Sequence, residues 1–483
     1  MPEVINISLS QRANHLSTHF YNAQESYLDY TKSVSKADNN PNVFFKPTLS
    51  RDKSTVNYNP RALIWDLKGG FGALGQFEYF VSEEDEDEWK GKTESIAKDR
   101  IPKSAYQKAL DNNSRVPQLD TSNTLYWTDY SRVLYEPKAY NELKNWEVDP
   151  KNYPKGRLAL GQEREFVDYQ VGVEEWKNDY TGVSFLEDKY RTSLEECDSL
   201  TGLNVVSEVD SAWGGFTSEM LHELRDDYNP KNSLFTWGIF NGKKMEDLSN
   251  KEILSRIRTF LELQRSSSLF IPLATPKNLP ESLQIDRSSH WQTSALQTLV
   301  FEPFQTITSQ REHNVNFNTI EDNLTLGSQR RIVSTVKAST GELSFDFASE
   351  FFVEAKNLHE FSRSSVHRPA KISSQEDFKD PSQLPGKPTS IEGEKVDKSQ
   401  TDYSSNLAFG TPDSFPDFVN PSDNVTATLG ITTAARKTLL TMKTFVSKFV
   451  RGDDRENMIQ ELETLAEDYE HGWNDSDESD DDY

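Results

Sequence analysis

The chain has 483 residues and a mass of 55.3 kDa, which excludes a small scaffold that depends on disulfides or metal to fold. Its 53 basic and 78 acidic side chains give a formal charge of −25 and a pI near 4.8, so the chain as a whole is disfavoured at nucleic acid or an anionic membrane, and a basic partner is the easier expectation. Hydrophobic residues are 35% of the chain, but 27 Phe, 18 Tyr and 9 Trp bury much area each, so one sizeable core with solvated tails is expected.

Ile5, Ile7 and Leu9 alternate as in a half-buried strand, and Leu16, Phe20, Ala23 and Tyr27 then recur at helical spacing. Ala62 to Leu67 reads as a second strand running into a glycine-rich loop from Gly69 to Gly75. A third apolar stretch, Leu203 to Val206, precedes a helix carrying Met220, Leu221, Leu224 and Tyr228, and Ser233 to Phe240 reads as another strand. Ile253, Leu254, Ile257, Phe260 and Leu261 mark a helix capped by Ser249 or Asn250, followed by a buried strand from Leu269 to Ala274. A helix with Ala295, Leu296, Leu299 and Val300 is expected to stop at Pro303. Strands alternating with helices predict an α/β protein with a mostly parallel sheet covered on both faces. From Ser362 to Ser422, seven of the 21 prolines and a Ser, Lys and Asp bias predict a flexible insertion. Two amphipathic helices then follow, around Leu439 to Phe449 and Met458 to Tyr469, before a solvated acidic tail.

Cys197 is the single cysteine, so neither a disulfide framework nor a cysteine-based zinc cage is expected, and a reducing compartment fits. No stretch approaches the roughly 20 apolar residues that span a bilayer, and the first twenty residues lack both an apolar signal core and an Arg-rich presequence, Arg12 being their one fixed positive charge. Gly70, Gly72 and Gly75 satisfy GxGxxG, but no apolar-periodic helix follows, so a turn is the expected role. A phosphate loop at Gly91 to Thr93 fails because Glu86 stands where glycine is required. His15 and His19 share metal-ligand spacing without a third ligand, and surface or capping positions are expected for them. The run Glu83 to Glu88 lacks the spaced oxygen ligands of a calcium loop and reads as a solvated charge block. No metal site is expected.

The opening EVINISLSQRANHLSTHFYNAQES resembles the first strand, nucleotide loop and helix of the tubulin family, and NPRALIWDLKGG its second strand and loop. EECDSLTGLNVVSEVDSAWGGFTSEMLHELRDDYNPKNSLFTWGIF is similar to the stretch through that family's glycine-rich phosphate loop. MIQELETLAEDYEHGWNDSDESDDDY resembles its last helix and acidic, tyrosine-ended tail. NTLYWTDYSRVLYEP, EECDSLTG, DSAWGGFTSE, SSSLFIPLA and SALQTLV narrow the resemblance to the Misato family within the tubulin/FtsZ-like superfamily, whose yeast members are named for mitochondrial DNA inheritance.

The resemblance implies a degenerate nucleotide-binding-type domain over residues 1–287 with insertions, a central helix over 288–304, and a second α+β domain beginning at 305–361. After the insertion at 362–422, residues 423–473 complete that domain with the C-terminal helices, and 474–483 form a disordered acidic tail. It also implies vestigial nucleotide positions at Gln11, Asn14, Asp66, Gly214 and Gly215. Around them the pattern is eroded: Ser10 and Ala13 replace glycines, Lys68 replaces an acidic residue near the metal, and Asp210 and Trp213 enter the phosphate loop. His290 falls near the guanine-reading asparagine, and Asn316, Asn318 and Glu321 resemble the element that orients water on a neighbouring subunit's nucleotide, with a polar loop before a helix as the plainer reading.

The expectation is therefore a non-catalytic, GTPase-like protein with no obligatory cofactor, GTP or GDP being the only candidates. The resemblance implies a role in partitioning mitochondria and their DNA, peripherally on the cytosolic face and with a cytoplasmic pool. Its partners are expected to be proteins of the mitochondrial surface or cytoskeleton, including basic surfaces that meet the acidic tail, and not nucleic acid. The alternative is an active filament-forming GTPase that uses Glu321 in trans. A third reading makes the acidic segments a scaffold for a basic partner.

Overall fold

The computed structural model describes residues 2–28, 39–49, 56–76, 101–148, 150, 156–158, 164–178, 181–280, 283–311, 315–355, 358–370, 399–418, 423–452 and 454–472. The acidic run Glu83 to Glu88 and the tail from Asn474 onward lie outside them. In chain order the first half comprises β1 (Glu3–Leu9), α1 (Gln11–Ser26), β2 (Phe45–Leu49), β3 (Val56–Pro60), β4 (Ala62–Lys68), α2 (Ala105–Asp111), β5 (Tyr140–Glu147), β6 (Arg157–Leu158), α3 (Tyr169–Lys177), α4 (Thr181–Ser184), α5 (Arg191–Glu195), β7 (Leu200–Glu208), α6 (Ala212–Glu223), β8 (Ser233–Ile239), α7 (Asn250–Ser266) and β9 (Leu269–Leu273). There follow α8 (His290–Thr306), α9 (Phe317–Thr325), β10 (Thr335–Thr340), β11 (Leu343–Asp346), β12 (Glu360–Arg368), β13 (Gln400–Ser404), β14 (Val425–Thr432), α10 (Ala434–Phe449) and α11 (Asp454–Asp468).

Every residue of β1 and β8 is buried, as expected of strands covered on both faces. The main sheet has the order β6-β5-β4-β1-β7-β8-β9, six strands parallel and β6 antiparallel at the edge. α1 and α8 pack against each other, and α3, α6 and α7 pack together as a second group. The chain reverses its direction of winding between β1 and β7, so the carboxyl ends of these two strands frame a crevice, the usual ligand position in open α/β sheets.

The second sheet, β11-β10-β14-β12-β13, is mixed, with β13 parallel to β12 and the remaining pairs antiparallel. It packs against α8, which touches elements of both halves. The flexible insertion expected over 362–422 is therefore corrected at both ends. β12 is an interior strand, and its inward positions Ser362, Ser364, Val366 and Arg368 are all buried. Residues 405–418 lie over α1: Gly410 N–H donates to Tyr27 Oη at 2.7 Å, Asn22 donates to Ser414 Oγ at 2.9 Å, and Phe415 is buried. Small hydroxyl side chains fit this tight interface while giving almost no hydropathy signal.

Two smaller expectations also change. Pro303 does not stop α8, which continues to Thr306. The missing proline N–H removes one ladder bond, and the packing of Phe301, Phe304 and Ile307 into the core outweighs that loss. His15 and His19 are fully buried between α1 and α8, not on the surface. Of the two caps considered for α7, Ser249 is the cap, exchanging hydrogen bonds with Glu252.

Candidate functional site

The crevice has two walls. The α1 wall begins at Ser10, whose φ of 107° and ψ of 159° lie in a region that glycine tolerates and other residues adopt under strain. Ser10 Oγ accepts from Ala13 N–H at 3.2 Å, which caps α1 and offsets part of that strain. Asn14 donates through Nδ2 to Trp65 O at 2.9 Å and to Asp66 Oδ2 at 3.0 Å, and its Oδ1 accepts from Ser8 Oγ at 2.7 Å. Asp66 also accepts from Trp127 Nε1 at 3.2 Å and Leu67 N–H at 2.9 Å. Burial pushes its carboxyl up to about 7, against the lowering effect of these donors. Gln11 Nε2 donates to Leu125 O at 3.2 Å, while its buried Oε1 has no partner. Gln11, Asn14 and Asp66 are thus brought together, but their hydrogen bonds run mostly into the protein.

The α6 wall carries charge where the tubulin-like pattern has bare glycine backbone. Glu208, at the end of β7, is buried and ion-paired with Arg12 from the first turn of α1, and it also accepts from Ser211 Oγ at 3.1 Å. Asp210 receives a two-pronged contact from Arg256, Nε at 2.8 Å and Nη2 at 3.0 Å, and accepts from Asn241 N–H at 2.7 Å. Arg256 is 2% exposed, donates further to Lys243 O at 3.0 Å and lies over the Phe240 ring. A helix N-terminus attracts anions because its first N–H groups point outward and its dipole is positive there. At the head of α6 the protein's own carboxylates already supply negative charge, each neutralised by an arginine.

Gly214 and Gly215 do not join the α1 wall residues as a phosphate cradle. Both lie inside α6, where a Cβ on Gly215 would sit 1.9 Å from Tyr169 O and one on Gly214 would sit 2.4 Å from Thr259 Oγ1. Their bareness permits α3 and α7 to approach α6. Trp213 is buried against Phe166 and Phe216, filling space on the same side. The GxGxxG glycines serve a turn: Gly72 has φ of +53° and abuts Tyr126, and Gly70 abuts the Asp66 carboxyl.

Beside these walls a cavity of about 280 Å³ remains, lined among others by Arg12, Lys243, Lys277, Arg287, His290 and Gln297. His290 packs near His15, their ring centroids 5.8 Å apart. Burial lowers the imidazoles of His19 and His290 to about 3 and lowers that of His15 as well, so all three are neutral. Among the described residues no cluster of three or more His, Cys, Asp or Glu side chains is placed to hold a metal ion. Lys68 sits 3.5 Å from Glu147. At the opposite end of the sheet Asn316 caps α9, so the Asn316–Glu321 segment opens a helix, and Ser233 Oγ lies 2.5 Å from both Asn318 Oδ1 and Glu321 Oε2, its one proton available to either.

Arg12, Glu208 and Arg256 are site residues that sequence reasoning missed. Arg256 carried a signal: it falls on the same helical face as Ile253, Ile257 and Phe260, where a cation needs a buried acid. Arg12 stood beside Gln11 in the nucleotide-type loop, but its partner is 196 residues away.

The strand order, the crevice between β1 and β7, the long α8 and the second mixed sheet define a tubulin-like protein. A family profile described as a tubulin domain matches residues 116–310, and one described as the Misato Segment II tubulin-like domain matches residues 2–112. The chain is 34% identical to Protein DML1 of Yarrowia lipolytica over the whole of both chains, and 32% identical to Protein DML1 of Kluyveromyces lactis over 99% of each. It is 40% identical to Protein DML1 of Debaryomyces hansenii over 56% of this chain and 58% of that one. The chain belongs to the Misato/DML1 family of tubulin-like proteins.

Proposed function

We propose that the chain is a tubulin-like protein that turns over no nucleotide and serves the partitioning and inheritance of mitochondria and mitochondrial DNA, and with them mitochondrial distribution and morphology. It acts peripherally on the cytosolic face of mitochondria, with a cytoplasmic pool. The observation that carries the non-catalytic reading is the paired charge at the head of α6, Glu208 with Arg12 and Asp210 with Arg256. A triphosphate entering there would meet two carboxylates and would have to break ion pairs with little solvent exposure. The mitochondrial reading rests on the family resemblance of the segments quoted above. Partner surfaces are protein, at the mitochondrion or the cytoskeleton.

The test is the guanine-nucleotide content of the freshly purified protein, followed by Mg²⁺-dependent turnover after stripping. Substoichiometric nucleotide and no turnover are expected; micromolar binding with turnover would overturn the reading. The alternative of a filament-forming GTPase needs Glu321 available to a neighbouring subunit, and its hydrogen bond from Ser233 favours a structural role. Depletion in cells is expected to disturb mitochondrial distribution, and protease protection inside intact mitochondria would refute the cytosolic-face location.

A further inference from the structure

α10 is an exception in this acidic chain. Residues 434–451 hold Arg436, Lys437, Lys443, Lys448 and Arg451 and no acidic residue at all. Ala435, Leu439, Met442 and Val446 form its buried stripe. On the opposite side Lys437, Thr444 and Lys448, seven and four residues apart, share one exposed face; exposed Phe449 ends the helix at the edge of that face, and exposed Arg451 follows just beyond the helix end. Arg436 and Lys443 are matched by Glu470 and Glu463, whereas no ion pair involves Lys437, Lys448 or Arg451 among the described residues.

Phe449 is 56% exposed and, among the described residues, is the one aromatic among the large hydrophobic side chains that stand out into solvent. Its ring lies 4.9 Å from that of half-buried Phe445, so an aromatic pair flanks the line of cations. Carboxylates near this face include Glu463, paired with Lys443, and Glu354, paired with Lys244, with Glu246 and Glu350 across a groove from Phe445 and Phe449, and exposed Asp454 three residues after Arg451. Amphipathic surface helices bind membranes by setting cations at the headgroups and aromatic rings at the acyl boundary. Each such cation adds a salt-sensitive increment at an anionic leaflet.

We infer that the exposed face of α10 is a docking surface for an anionic lipid membrane, with Lys437, Lys448 and Arg451 meeting the headgroups and Phe449 entering the interface. The chain's net negative charge opposes an anionic surface on average, so contact there favours a face with unpaired cations such as this one. This deepens the reading of a peripheral mitochondrial protein and rests on it for its setting, while the chemistry of the face is independent of the organelle.

The test is co-sedimentation of the full chain with phosphatidylcholine vesicles that contain or lack phosphatidylserine. Binding is expected only to the anionic vesicles and is lost at high salt. The triple variant Lys437→Gln/Lys448→Gln/Arg451→Gln, and separately Phe449→Ser, should each weaken it about tenfold or more, estimated from the usual contribution of a cation near a charged leaflet and of a buried ring. All four positions are exposed, and unchanged melting temperatures check that the variants fold. Equal binding by wild type and variants, or no binding to anionic vesicles, overturns the proposal. Attachment to mitochondria without vesicle binding, abolished by stripping their surface proteins, assigns this face to an acidic protein instead and also overturns it. Vesicle binding in a protein absent from mitochondria would leave the lipid surface standing and remove the mitochondrial reading.

Discussion

The two walls of the crevice differ from the tubulin-like sequence pattern in different ways. On the α1 wall the backbone still follows a path suited to glycine at Ser10, and Asn14 and Asp66 remain in mutual contact. The hydrogen bonds that Asn14 and Asp66 make here end on protein groups. On the α6 wall the residue types themselves changed, and glycines that survive, Gly214 and Gly215, are occupied by helix packing. A fold can keep a ligand-shaped backbone for reasons internal to its core, so chain path alone is weak evidence for binding. The charges at the site decide more.

The largest effect separating the walls is expected from Arg256→Ala. It strands Asp210, whose side chain is 10% exposed, with an unmatched charge. Breaking one partner of such a buried pair typically costs about 3–5 kcal/mol. Thermal or denaturant unfolding should show that loss, and the double variant Asp210→Ala/Arg256→Ala should recover part of it. A cost for Arg256→Ala below about 1 kcal/mol, the scale of a surface pair, would mean that the α6 wall is not held by charge.

Next comes acidification, which probes the α1 side. Burial lowers the His19 and His290 imidazoles from an ordinary value of 6.5 to about 3, and His15 moves the same way. The unfolded chain therefore binds more protons at these sites between those limits, so their contribution is complete above pH 6.5 and is lost as pH falls. Asp66 and Asp129 act oppositely, because burial raises them from 3.8 to about 7 and about 6, so their contribution is complete below 3.8 and is lost as pH rises through the folded values. Burial raises Glu142 and Glu262 in the same direction as these two carboxyls, so the histidine contribution is read from a variant and not from the total. His19→Phe removes one proton site, and its melting temperature should depend less steeply on pH across that window. Parallel profiles for variant and wild type would show that His19 is not held neutral.

These residues also show what the sequence made legible. β1, β4, β7, β8 and β9 announced themselves as apolar runs, and α10 and α11 as periodic stripes, because each element's burial is written in its own residues. β12 did not, since Ser362, Ser364 and Arg368 face inward and their burial depends on Glu302 and the close approach of α9. The likeness of Gln11, Asn14 and Asp66 to nucleotide positions was readable, but the charge pairing of the α6 wall was not. It depends on pairs 196 and 46 residues apart in sequence, which no local spacing encodes.

The smallest expected effect makes the sharpest distinction between backbone shape and charge. Ser10→Gly relieves a conformation whose strain is of order 1 kcal/mol, but gives up the cap to Ala13 N–H, worth a few tenths when glycine replaces serine, and loosens the unfolded chain by a comparable amount. Stability should change by less than about 1 kcal/mol in either direction. If side-chain intrusion alone kept nucleotide out, restoring this glycine would allow measurable GTP binding in a fluorescence titration. The paired carboxylates at Glu208 and Asp210 predict that it does not, because phosphates at the α6 wall would still have to displace an arginine from each of them. Recovery of micromolar affinity in Ser10→Gly would therefore move the decisive departure from the α6 wall to the α1 wall.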